Sequence, residues 1–204
     1  MATVKTKKKT IPKPKLADKA PRGHVTKKSQ HIKKGLILVN TGTGKGKSTA
    51  AFGTALRALG RGYKVAVVQF IKGKWNTGEE MATRFFGGNF KVFPMGEGFT
   101  WNTQDFKRDV AMAQKTWEKC IEILHDKEHP LVIFDEINYC LKYNFLDVAD
   151  VVKELRKKPP MKHVFLTGGG APPEIIEIAD LVTEMKCIKH PYQQGILAQA
   201  GIEY

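Results

Sequence analysis

Cysteine is scarce in this chain, and Cys120, Cys140 and Cys187 lie far apart in sequence. No Cys-x-x-Cys pair occurs, so the sequence indicates neither a disulfide framework nor a zinc site, and a reducing compartment fits best. No apolar run approaches the roughly 20 residues of a membrane-spanning helix. No short apolar segment follows the basic N-terminus, as a secretory signal would require. We therefore expect a soluble cytoplasmic protein with no membrane contact.

Acidic residues are nearly absent from residues 1–34, which hold twelve Lys and Arg but only Asp18 as an acid. This segment carries +11 of the total charge of +14, which leaves +3 for residues 35–204. Its few large apolar side chains cannot offset the entropy of ordering a chain. We predict a disordered basic arm over 1–34 and one folded domain over 35–204. A transit peptide is the alternative for the arm, although such peptides favour Arg and Ser, and the arm has one of each.

Short β-rich apolar runs alternate with longer helical segments from Gly35 onward. This pattern is typical of repeated βαβ units and predicts an α/β fold with a mostly parallel central sheet flanked by helices. The predicted strands are Leu36–Val39, Lys64–Gln69, Phe90–Phe93, Leu131–Phe134, Val164–Thr167 and Leu181–Met185. The predicted helices are Lys47–Leu59, Gln104–His125, Asp147–Arg156 and Pro173–Ala179.

A glycine-rich loop joins the first predicted strand to the first predicted helix. It reads Thr41, Gly42, Thr43, Gly44, Lys45, Gly46, Lys47, Ser48 and Thr49. The order matches the phosphate-loop pattern G-x-x-x-x-G-K-[ST], with Thr41 in place of the first glycine. Inward-facing backbone N–H groups and the helix N-terminus bind phosphates in such loops. Lys47 would add a fixed charge and Ser48 a magnesium ligand. A ligand-free turn is the alternative, and the spacing fits a dinucleotide-binding turn less well.

Two acids, Asp135 and Glu136, follow the apolar strand Leu131–Phe134. In a parallel sheet they lie at the carboxyl edge, where the phosphate loop also opens. Acids at this place hold magnesium or its water shell in phosphate-loop enzymes. The alternative is that they cap a loop after a strand. Together with the loop, they predict a site for ATP and Mg²⁺.

Five segments carry a further resemblance. They are Thr41–Gly53, Val67–Gly73, Gly96–Trp101, Asp135–Glu136 with Asn138–Tyr139, and Asp180–Met185 with Lys189–Pro191 and Gly201–Tyr204. In this order they resemble the ATP:corrinoid adenosyltransferases of the RecA-like phosphate-loop type. Two positions depart from the family pattern, because Gly169 stands where the family often has Arg and Thr43 where it often has Asn.

The resemblance implies a RecA-like phosphate-loop fold and a specific reaction. Cob(I)alamin, the reduced corrinoid substrate, would attack the 5′ carbon of ATP, giving adenosylcobalamin and intact triphosphate. ATP would lie reversed in the loop, with Lys45, Lys47 and the loop amides stabilising the leaving triphosphate. Ser48 and Glu136 would hold magnesium, with Asp135 as an outer-shell partner. The family also implies a homodimer and a flavoprotein reductant.

Single residues outside the loop have two readings each. The resemblance places Phe99 and Trp101 against the lower face of the corrinoid, whereas both are otherwise ordinary buried aromatics. Arg57 on the first helix either contacts nucleotide or is a solvated charge. His190 is either an acid or ligand or a structural turn residue, and because it precedes a proline we interpret it as a turn residue.

Other function classes share part of this pattern. A RecA-like ATPase could bind nucleic acid through the basic arm, although a charge concentrated in the arm makes nucleic acid an unfavoured partner. A small-molecule kinase would need a base to activate a hydroxyl, and the sequence offers only Asp135 and Glu136.

Overall fold

Six parallel strands form one sheet in the computed structural model, which describes residues 32–71, 77–96 and 105–203. The strands are β1 Ile37–Thr41, β2 Val65–Gln69, β3 Phe90–Pro94, β4 Leu131–Asp135, β5 His163–Thr167 and β6 Leu181–Glu184. Their order across the sheet is β3-β2-β4-β5-β1-β6, so β5 lies between the strand of the glycine loop and the strand of the acids.

Six α-helices are described alongside the sheet. They are α1 Lys47–Gly60, α2 Gly78–Ala82, α3 Phe106–His125, α4 Ile137–Lys142, α5 Val148–Arg156 and α6 Pro173–Ile178, with 3-10 turns at Thr83–Phe86 and Pro191–Gln194. Asp105 and Asp147 cap the N-termini of α3 and α5, because each carboxylate accepts a backbone N–H of the first helical turn.

Helices cover both faces of the sheet. Ala51 and Ala55 of α1 pack on one face against Val65 and Ile133. Cluster members on the other face come from α3, α4, α5 and α6 and include Trp117, which meets the ring of Phe134 edge-on. Neighbouring residues of β2 and β4 thus point to opposite apolar layers, which explains why both strands are apolar along their whole length.

The edge of the sheet near β6 also receives the incoming chain. Lys34 forms an ion pair with Asp180, and the backbone N–H of Gly35 donates to the carbonyl of Pro160. Within the described ranges, no helix is long and apolar enough to cross a membrane.

The predicted α/β fold is confirmed, since all six strands and all four helices occur with ends within two residues of the prediction. The sequence reading missed α2 and α4. Helix α4 has only six residues, and Glu136, the residue before its start, has a φ of 65°, outside the helical region. A segment this short shows too little periodicity to be recognised.

Candidate active site

The glycine loop lies between β1, which ends at Thr41, and α1, which begins at Lys47. Gly42 and Gly46 have φ values of 95° and 102°, in the left-handed region that glycine adopts without strain. Helix geometry leaves the first-turn N–H groups of α1 without acceptors in the helix, and such groups are suited to bind an anion.

Lys47 is held inside the loop. Its side chain is buried, with 9% of the residue exposed, and Nζ donates to the carbonyl of Gly44 at 2.6 Å. The Nδ2 of Asn40 in turn donates to the carbonyl of Lys47 at 3.0 Å. The ammonium therefore occupies a defined position and needs only to exchange a carbonyl for a phosphate oxygen.

The chain beyond β6 packs on the other side of the loop. The N–H of Gly44 donates to the carbonyl of Met185 at 2.7 Å, and the N–H of Met185 donates to the carbonyl of Thr41 at 2.9 Å. Lys45 forms an ion pair with Glu203. The Gly44 amide is thus already satisfied by protein.

A hydrogen-bonded network fixes the two acids at the end of β4. Asp135 accepts hydrogen bonds from Nε2 of Gln69 at 3.2 Å and from the Thr167 hydroxyl at 2.7 Å. The same hydroxyl accepts the backbone N–H of Glu136 at 2.9 Å. Both oxygens of the buried Asp135 carboxylate are therefore occupied, and they tie together β2, β4 and β5.

Glu136 differs from its neighbour in having a free oxygen. Among the residues that the structure describes, its buried Oε2 has no hydrogen-bond partner. Burial, and next the charge of Asp135, raise its pKa from 4.5 to about 7, although the charge of Lys47 and the hydroxyl of Ser48 oppose the rise. A buried carboxylate oxygen that lacks a partner is a ready ligand for a cation or a proton.

Asn138 joins the end of β1, just before the phosphate loop, to the turn after β5. Its Nδ2 donates to the carbonyls of Gly168 at 3.0 Å and Asn40 at 3.4 Å. A Cβ at Gly169 would lie 3.0 Å from the Tyr139 hydroxyl and 3.2 Å from the Gly42 carbonyl. The departure from the family pattern at Gly169 therefore falls where the loop, α4 and this turn meet closely.

Comparison with known proteins assigns the family. The model of the family described as ATP:corrinoid adenosyltransferase BtuR/CobO/CobP matches residues 33–204. The chain belongs to the ATP:corrinoid adenosyltransferase family. It is therefore an enzyme of the transferase class, as the sequence resemblance predicted.

Two sequence relatives of this adenosyltransferase agree with the family assignment. A corrinoid adenosyltransferase of Sinorhizobium is 55% identical over 173 residues, which cover 84% of this chain and 81% of that protein. One from Pseudomonas aeruginosa is 48% identical over 171 residues, covering 84% of each chain.

Among solved structures, the flagellar accessory protein FlaH of Methanocaldococcus jannaschii is similar to this chain with a TM-score of 0.46 at 15% identity, over 75% of this chain and 72% of that one.

The adenosyltransferase structure brings most predicted site residues to one edge of the sheet. The loop from Thr41 to Thr49 lies there with Asp135 and Glu136. Arg57 is exposed in the last turn of α1, about 15 Å along the helix axis from Lys47, so it is not brought to the loop. Phe99 and Trp101 lie outside the described residues.

Thr41 and His190, both discussed from the sequence, form hydrogen bonds that shape the backbone. The Thr41 hydroxyl accepts the N–H of Ala171, which links the loop to the turn after β5. His190 accepts the N–H of Tyr192 through Nδ1 and begins a 3-10 turn, which confirms the interpretation of His190 as a turn residue.

The sequence reading gave no site role to four polar residues of the candidate site, although Gln69 and Asn138 lie in segments that carry the family resemblance. They are Asn40, Gln69, Asn138 and Thr167, each buried and hydrogen-bonded near the loop or the acids. Three of them stand at or next to the end of an apolar strand. A polar residue ending a buried strand was the available signal, because it must find a partner at the same edge.

The residues present fit a magnesium ion. Ser48 and Glu136 offer oxygen ligands, and the unpartnered Oε2 of Glu136 is an acceptor that needs a cation or a donor. Within the described part of the chain, no three His, Cys, Asp or Glu side chains group as an all-protein metal site. Magnesium is usually bound by one or two carboxylates together with substrate phosphates, which is the arrangement available here.

Proposed function

We propose that this adenosyltransferase moves the 5′-deoxyadenosyl group of ATP to the cobalt of cob(I)alamin and releases triphosphate. The observation that carries the proposal is the buried ammonium of Lys47 inside a phosphate loop, close enough to the Glu136 carboxylate for its charge to lower the pKa of that group. In the reaction, an electron pair of the Co(I) substrate forms the cobalt–carbon bond. The bond between C5′ and its oxygen breaks, and its electron pair leaves with triphosphate.

Charge builds up on the triphosphate as that bond breaks. Lys47, Lys45 and the free amides of the first turn of α1 would stabilise it, which is the kind of electrostatic assistance that a preorganised site supplies best. ATP would lie reversed in the loop, with its terminal phosphate deepest and the 5′ carbon outermost. Holding the nucleophile, the carbon and the leaving oxygen in line is worth about 7–11 kcal/mol.

Magnesium would be held by Ser48 and Glu136, with Asp135 behind them in the outer shell. When bound, it would neutralise part of the triphosphate charge. The reaction needs no general base, because the cobalt nucleophile carries no proton. This agrees with an acid pair in which the unpartnered oxygen of Glu136 is available to a cation.

Three parts of the proposal concern the surroundings of the site. Phe99 and Trp101 would press on the lower face of the corrinoid and displace its axial base, since their rings offer bulk but no lone pair to cobalt. Cob(II)alamin would then be easier to reduce, with a flavoprotein as the reductant. The enzyme would act as a homodimer in the cytoplasm.

A product assay tests the proposal. The enzyme is incubated with ATP, Mg²⁺ and chemically reduced cob(I)alamin, and the products are separated. We expect light-sensitive adenosylcobalamin and intact triphosphate in equal amounts. Lys47→Met should lower kcat/KM by about 100-fold or more, because one preorganised donor to a developing charge contributes this much. Lys64→Met, which removes an exposed lysine paired with Glu128, is the matched control.

The same assay separates the alternatives. Phosphate or diphosphate without a cobalt–carbon product would favour a nucleic-acid-binding ATPase and would contradict the proposal.

A second assay, which starts from cob(II)alamin with a weak reductant, tests the roles of Phe99 and Trp101. Phe99→Ala and Trp101→Ala should lose more activity from cob(II)alamin than from cob(I)alamin, and equal losses would count against axial displacement.

A further inference from the structure

We infer that Thr167 is a positioning residue for magnesium binding, because its hydroxyl holds Glu136 in its binding conformation and is itself anchored by Asp135. This inference rests on the proposed magnesium site at Glu136 and Ser48. It adds a residue on a different strand, with a role that acts through the backbone of Glu136 and not through contact with the substrate.

The geometry of one hydroxyl supports this role. Thr167 is fully buried, and its Oγ1 accepts the Glu136 N–H at 2.9 Å while donating to Oδ1 of Asp135 at 2.7 Å. A hydroxyl has a single proton, so donation to the carboxylate orients its lone pairs toward the amide. The two hydrogen bonds therefore form a relay with one direction. The Glu136 amide donates to Thr167, and Thr167 donates to Asp135.

The backbone of Glu136 requires such support. Its φ of 65° places a non-glycine residue in the left-handed region, where the conformation persists only if the surroundings hold it. The backbone turns there directly from β4 into α4, which begins at Ile137. The Thr167 hydroxyl bonds the amide of the strained residue itself, so it fixes the direction in which the carboxylate leaves the backbone.

The far end of the relay is anchored as well. Gln69 on β2 donates to Oδ2 of Asp135, so this carboxylate cannot turn away from Thr167. A Cβ at Gly168, the residue after Thr167, would lie 3.0 Å from Oε2 of Glu136, which shows how closely the turn packs against the free oxygen. Outer-shell partners of this kind typically change metal affinity by about 10- to 100-fold when removed.

The test measures ATP affinity by calorimetry in the presence of Mg²⁺ and again in the presence of EDTA, without any corrinoid. The dissociation constant in EDTA divided by that in Mg²⁺ is the magnesium-dependent gain in ATP affinity. Thr167→Val keeps the shape but removes the hydroxyl, and should lower this ratio by about 10-fold or more. Thr167→Ser keeps the hydroxyl and should retain the wild-type ratio. In EDTA, both variants should bind ATP as the wild type does.

A double-mutant cycle distinguishes positioning from general damage. If Thr167 acts through Glu136, adding Thr167→Val to Glu136→Gln should lower the ratio no further. Thr116→Val is the matched control, because Thr116 is equally buried but its hydroxyl bonds the Met112 carbonyl in α3. It should change the unfolding free energy without changing the ratio.

Several outcomes would overturn the inference. They are a wild-type ratio in Thr167→Val, an equal loss in Thr167→Ser, or a loss that persists undiminished in the Glu136→Gln background. Should Thr167→Val not fold, Thr167→Ala removes the same hydroxyl with less bulk and carries the same expectations. If neither folds while Thr167→Ser does, the role is structural and the inference fails. The product assay for the wild type is independent, so adenosylcobalamin formation with an unaffected ratio would overturn the inference alone.

Discussion

Glu136 combines a strained backbone with a carboxylate whose pKa is raised to about 7. Neither feature stabilises the fold. Left-handed non-glycine residues cost about 1 kcal/mol or more, and a buried acid with an unpartnered oxygen adds a further cost. Such costs concentrate at functional sites, where the binding of a ligand offsets them. We therefore interpret Glu136 as a residue whose energetic cost a bound cation would offset.

The raised pKa makes stability fall as the pH rises. Between pH 4.5 and about 7 the folded protein retains a proton on Glu136 that the unfolded chain has released, so the unfolding free energy decreases over this window. The full shift corresponds to about 3 kcal/mol. We predict that Glu136→Gln, measured without ATP or Mg²⁺, is more stable than the wild type at pH 8 by up to this amount.

Denaturant titrations at several pH values check this prediction. The stability difference between the two proteins should be small at pH 4.5 and should grow toward pH 8. Taking the difference cancels other titrating groups, such as His163, whose pKa is lowered by burial and next by the charge of Lys158. A difference that does not change with pH would show that Glu136 titrates normally.

At the scale of elements, the phosphate loop depends on the segment after β6. A Cβ at Gly44 would lie 2.7 Å from backbone atoms of Lys186 and 2.9 Å from the backbone of Met185. Both distances are too short for any real contact, and backbone cannot give way as a flexible side chain can. The absence of a side chain at this position lets two backbone segments pair directly.

We predict that Gly44→Ala destabilises the protein by about 1–3 kcal/mol, the usual cost of overpacking, and weakens ATP binding by displacing the loop. Gly53→Ala is the matched control, because a Cβ there meets nothing within 4 Å in the middle of α1. The control should be stabilised by about 0.5–1 kcal/mol through helix propensity. Thermal unfolding and ATP titration measure both effects, and normal ATP affinity in Gly44→Ala would contradict the packing argument.

The elements themselves were largely predictable from sequence. Buried parallel strands such as β2 and β4 must be apolar throughout, and the loop motif fixes the start of α1 at Lys47. The partners across the sheet were not predictable, because they depend on strand order. Nothing local in the sequence says that β5 lies between β1 and β4, and only this order brings Thr167 to Asp135 and Glu136.

At the scale of the whole molecule, most of the positive charge and the candidate active-site residues lie in different parts of the sequence. Residues 1–34 carry +11 of the net +14, whereas the acids and the loop of the site lie between residues 41 and 136. A basic segment of this kind favours contacts with polyanions or acidic partners, which weaken with salt. The arm should therefore influence association more than the chemical step.

We predict that deleting residues 1–30 leaves adenosylcobalamin formation from pre-reduced cob(I)alamin within about twofold of the full chain, while retention on an anionic resin shifts to lower salt. The deletion keeps Lys34, which pairs with Asp180 at the edge of the domain. Steady-state rates and salt elution measure the two effects. A large loss of rate with cob(I)alamin would place the arm in the active site.

The ion pair between Lys45 and Glu203 has a practical consequence for handling the protein. A purification tag or fluorescent fusion appended after Tyr204 would begin one residue from a group that touches the phosphate loop. Apparent nucleotide affinities measured on such fusions would include the disturbance of that pair. Fusions at Met1 are remote in sequence from both Lys45 and Glu203 and are the better choice for binding studies.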